Sequence, residues 1–167
     1  EQWAADPNED LVLFGYSQGG AVVSNQLRNL AALDPELKER LEVVMIGNIA
    51  NPDGGLWPRL SQFSILGQLL LDATLGPPMI TDSGIAITNV GFEYDPVVYA
   101  PLYWGNALAM LNAIAAFSNV HGYYLAPNGG NTGTMPYGYT DEELAAALAD
   151  PANIRYGGND PNSANKY

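Results

Sequence analysis

The chain has 167 residues, of which 47% are hydrophobic and only 14% charged, enough apolar content for one domain with a buried core. A formal net charge of -12, with six Lys and Arg in all, argues against nucleic acid and against anionic membrane surfaces. The absence of cysteine excludes disulfides, thiolate metal sites and cysteine nucleophiles together.

Residues 1–10 (EQWAADPNED) are polar and show no leader pattern, and no run approaches the ~18 apolar residues of a membrane span. Residues 11–15 (LVLFG) form a short apolar run that predicts a fully buried strand. After Tyr16-Ser17-Gln18-Gly19-Gly20, the stretch AVVSNQLRNLAAL predicts a helix ending near Leu33. Asp34-Pro35 breaks it and opens a short charged turn (ELKER), and LEVVMIG at 41–47 predicts a second buried strand. Strand, helix and strand in this order make a parallel crossover unit. Residues 51–84 read as an insertion, a candidate lid or acyl-binding wall, carrying the apolar run FSILGQLLLDATL. That run fits ordinary core equally well. A third strand is predicted at about 85–92, ending in Glu93-Tyr94-Asp95-Pro96, and a helix from Trp104 to Phe117. His121 follows in a loop. The remainder, 122–167, reads as a loop-rich extension with one short helix, where Thr140 and Glu143 make a capping box.

Gly15-Tyr16-Ser17-Gln18-Gly19 fits G-x-S-x-G between a strand and a helix. That chemistry needs a serine on a strained strand-to-helix turn, so that its hydroxyl stands free, with small residues where the two backbones pass closely. The helix N-terminus favours developing negative charge, and the Gln18 amide is the natural oxyanion donor. His121 is the only histidine and therefore the candidate base. Asp95 follows the chain order nucleophile, acid, histidine; Asp53 is its rival, with Glu93 and Asp82 weaker. Tyr16, Phe63, Leu66, Leu69 and Leu70 are the candidate acyl-binding residues. Around Asn128-Gly129-Gly130-Asn131 no spaced acidic loop is present, so no metal is assigned, and no cofactor is implied.

The blocks VLFGYSQGGAVVSNQL, FEYDPV and NVHGYY, in this order and spacing, resemble the PE-PPE domain of mycobacteria, a serine-hydrolase module related to cutinases. The resemblance spans roughly residues 8 to 150. It implies a cutinase-like α/β-hydrolase fold, three layers around a parallel central sheet, with Ser17, Asp95 and His121 as triad. It also implies ester or thioester chemistry on fatty acyl groups, with water or an acceptor alcohol resolving the acyl-enzyme, and a cell-envelope or secreted location. A complete hydrolase has several strands before the nucleophile strand and takes its second oxyanion donor from them. The N-terminal half of the domain is therefore expected upstream, and residues 1–167 are read as one partial domain. A non-catalytic lipid- or partner-binding module on the same scaffold is the reading from another class.

Overall fold

The computed structural model describes residues 8–61, 76–124 and 140–153. Three strands, β1 (Leu11–Tyr16), β2 (Leu41–Ile46) and β3 (Ala86–Val90), form a parallel sheet in the order β1-β2-β3. The helices are α1 (Gln18–Leu30), α2 (Pro35–Glu39), α3 (Leu56–Ser61), α4 (Ala107–Asn119) and α5 (Asp141–Ala149). This is an α/β arrangement.

The parallel register aligns the sheet in rows. Leu13, Val43 and Ile87 share one row, and Gly15, Met45 and Asn89 share the next. Period-two alternation puts these rows on one face, where Leu41, Val43, Met45 and Ile87 are buried. Helix α1 covers that face with Gly20, Ala21, Ser24 and Leu27, spaced for one side of a helix. Leu27 is fully buried in the core cluster, and its removal to alanine costs about 2–5 kcal/mol by analogy with other cores.

The strands are not buried on both faces, as their apolar runs predict. Val12 and Phe14 on the other face of β1 are 56% and 51% exposed, and Glu42 of β2 is exposed beside them. Apolar composition is identical for the two faces of such a run, so only packing reveals which is covered. The charged ELKER turn is also corrected, because Pro35-Glu36-Leu37-Lys38-Glu39 forms α2. Proline terminates the preceding helix yet suits the first turn of the next, where its missing N–H has no partner to lose. Helix α1 ends at Leu30 rather than Leu33. The predicted helix from Trp104 starts instead at Ala107, because the Asn106 side chain accepts from the amides of Leu108 and Ala109.

The insertion predicted at 51–84 is in part core. Met79 joins the central cluster with Ile80 packed against it, and the Met79 amide donates to the Ala50 carbonyl at 2.9 Å. Its apolar run, including Phe63, Leu66, Leu69 and Leu70, lies outside the described residues, as do Asn128–Asn131. The capping box at α5 is present, with Thr140 accepting from the Glu143 amide and Glu143 accepting from the Thr140 amide.

Candidate active site

Ser17 stands between β1 and α1 with φ 54° and ψ -120°, a strained backbone for a residue with a Cβ. The strain is held by β1 pairing on one side and by the helix on the other, where the Gly20 amide donates to the Ser17 carbonyl at 3.0 Å. A methyl on Gly15 would meet Gly20 Cα at 3.0 Å, and one on Gly20 would meet Asn48 Oδ1 at 2.6 Å. Gly19, the last letter of the motif, has open space around it. The close approach therefore belongs to Gly15 and Gly20. Gln18 is the first helical residue, directly after Ser17, so its N–H lacks an intrahelical acceptor.

Asp95 sits on the loop after β3 and is fully buried, whereas the rivals Asp53, Asp82 and Glu93 are exposed. Its loop is fixed from several sides. The Tyr99 amide donates to the Asp95 carbonyl at 2.8 Å, and the Asn51 amide group donates to the Val98 carbonyl at 3.0 Å. The Ala100 amide donates to the Gly54 carbonyl at 2.8 Å, tying this loop to the one after β2.

His121 opens a short 3₁₀ turn (His121–Tyr123) at the end of α4. Its Nε2 lies 2.7 Å from Ser17 Oγ, and its Nδ1 lies 2.9 Å from Asp95 Oδ2. A carboxylate can only accept, so Nδ1 carries the proton and Nε2 is left to accept from the serine hydroxyl. Three side chains from three separate segments thus form one unbroken line.

Tyr16, a candidate acyl-binding residue, also packs against the histidine. Its hydroxyl donates to the His121 carbonyl, and its ring stacks on the imidazole at 5.6 Å. Burial, followed by the charge of Asp95, raises its phenol above the ordinary tyrosine range. Phe117 also stacks on His121, at 5.5 Å. The residue that sequence reasoning missed is Tyr124. Its hydroxyl donates to Asp95 Oδ2 at 2.7 Å and accepts from the Phe92 amide at 2.7 Å. Its one sequence signal is its place in the His-Gly-Tyr-Tyr block.

A family model described as the PE-PPE domain matches residues 2–140. The chain belongs to the PE-PPE domain family. It is similar to PE family protein PE3 of Mycobacterium tuberculosis (strain ATCC 25618 / H37Rv), 33% identical over 90% of this chain and 29% of that protein. Esterase PE16 of the same strain is 30% identical over 86% of this chain and 25% of its own length. PPE family protein PPE28, from that strain too, is 37% identical over 74% of this chain and 18% of its own. The PE-PPE chain thus spans less than a third of each of these relatives. No solved structure matches it. Among the described residues of this PE-PPE domain, no helix is long and apolar enough to cross a membrane.

Proposed function

We propose that this PE-PPE chain is a serine hydrolase of cutinase-like α/β-hydrolase type, acting on acyl esters or thioesters through an acyl-enzyme on Ser17. The observation that carries the reading is the continuous contact from Ser17 Oγ through both nitrogens of His121 to buried Asp95. The name of Esterase PE16 supports ester chemistry by relationship.

In the proposed reaction Ser17 Oγ bonds to the acyl carbonyl carbon as its proton passes to His121 Nε2. Asp95 holds the imidazole tautomer and stabilises the imidazolium that forms. The negative charge on the former carbonyl oxygen is met by the Gln18 N–H at the start of α1. Collapse breaks the bond to the leaving alcohol or thiol, which takes the proton from Nε2. Water, or an acceptor alcohol, then gives its proton to His121 Nε2 and bonds to the acyl carbon; collapse breaks the bond to Ser17 Oγ, which takes that proton back and leaves the acid or the new ester. Acyl chain selection is assigned in this reading to the apolar segment around Phe63 to Leu70.

A fluorophosphonate probe tests the nucleophile directly. It should label the full-length protein at Ser17, with labelling abolished by Ser17→Ala and p-nitrophenyl ester turnover lost with it. Labelling of that variant at another serine would overturn the assignment. Asp95→Asn should cut turnover by roughly 10⁴, because the imidazole loses the tautomer that leaves Nε2 free to accept, as it does in serine proteases.

A further inference from the structure

We propose that Tyr124 is a positioning residue for this reaction, a fourth group whose hydroxyl holds the Asp95 carboxylate in the geometry His121 requires. The inference rests on the serine-hydrolase reading above.

A buried carboxylate keeps its charge only if donors satisfy its lone pairs. Asp95 has three. Oδ1 accepts from the Val97 amide at 2.9 Å, while Oδ2 accepts from His121 Nδ1 at 2.9 Å and from the Tyr124 hydroxyl at 2.7 Å. Without Tyr124 the oxygen facing His121 would keep the imidazole as its single donor, and rotation about the carboxylate would be opposed only at Oδ1.

The direction of the tyrosine proton is determined by its other neighbour. The Phe92 N–H donates to the same hydroxyl, so the phenol must send its own proton to the carboxylate. Phe92 lies two residues after β3, on the way into the Asp95 loop, and its ring packs on Tyr124 at 4.5 Å. Tyr124 thus spans the acid loop and the turn that carries His121, two segments that are separate in sequence. Burial, with the charge of Asp95 next, raises the Tyr124 phenol far above the ordinary range and keeps it a donor.

Tyr124→Phe removes the hydroxyl and keeps the ring. A hydrogen bond to a charged group corresponds to roughly 10- to 100-fold, so kcat and kcat/KM for a p-nitrophenyl ester should fall together by that factor. KM should not change. The double-mutant cycle separates positioning from general structural support. On an Asp95→Asn background there is no carboxylate to hold, and Tyr124→Phe should alter the rate of fluorophosphonate labelling less than twofold. A role confined to packing or to the Phe92 amide would cost the same factor in both backgrounds and would overturn the proposal. So would a Tyr124→Phe enzyme with unchanged kcat. If the parent protein is not labelled at Ser17 at all, the serine-hydrolase reading fails first, and the two failures are distinguished.

Discussion

Gly47 lies where the site is most crowded. It follows β2 with φ 58°, and an added methyl would stand 3.2 Å from His121 Cε1, 3.2 Å from Tyr124 Cε2 and 3.3 Å from Tyr16 Cε2. Three rings meet around a missing side chain. Gly47→Ala therefore combines backbone strain with displacement of the imidazole, and a misplacement of about 1 Å costs roughly 10²-fold in rate. We expect labelling at Ser17 to slow by about that factor while the protein remains folded by circular dichroism; an unchanged rate would show that His121 yields without consequence. The two tyrosines nearby also make a pH signature. Both phenols are raised, so above the ordinary value of 10.0 the unfolded chain releases protons that the folded chain retains. Stability is therefore fully present below about pH 10 and falls as pH rises beyond it. Urea midpoints between pH 9 and 11 should show this fall, and Tyr124→Phe should make it shallower. At this scale the contact of Ser17 with His121 and Asp95 was legible for chemical reasons, since one histidine and one G-x-S-x-G motif leave few pairings. Tyr124 was not, because a tyrosine beside a histidine carries no spacing rule, and its partners Phe92 and Asp95 are distant in the chain.

Elements were legible where side-chain pattern alone determines them and less so where a single cap does. LVLFG, LEVVMIG and IAITNVGF mark β1, β2 and β3 because their apolar runs suit a sheet and little else. The start of α4 depends instead on the Asn106 side chain, which accepts from Leu108 N at 3.1 Å and Ala109 N at 3.2 Å. Trp104 and Gly105 continue the apolar pattern but contribute no such capture. Asn106→Ala should cost about 1 kcal/mol of stability, and Asn106→Asp should largely preserve it. Because α4 bears Phe117 and runs through Val120 into His121, the alanine variant should also weaken labelling at Ser17. Chemical denaturation of the three proteins checks the first expectation. Equal midpoints for alanine and asparagine would show that packing alone holds the helix start.

For the whole molecule, two opposing terms govern association. Net charge of -12 keeps copies apart, but its reach shrinks from about 30 Å at 0.01 M salt to about 3 Å at 1 M. Against it stand large apolar side chains in solvent. Val12 and Phe14 project from β1, whose sheet neighbour among the described residues is β2, and α4 exposes Leu108, Leu111 and Ile114 to at least 64%. A parallel strand with an apolar outward face is a template for further pairing and packing. The 167-residue chain expressed by itself should therefore self-associate, weakly in dilute buffer and more strongly as salt screens the repulsion. Sedimentation velocity across a concentration series at 0.02 M and 0.5 M salt separates the terms. Phe14→Glu adds charge to the apolar face, and should return the high-salt sample toward monomer without changing the low-salt one. If association instead weakens with salt, ion pairs rather than apolar faces drive it, and if Phe14→Glu associates like the parent, the outward face of β1 is not where copies meet.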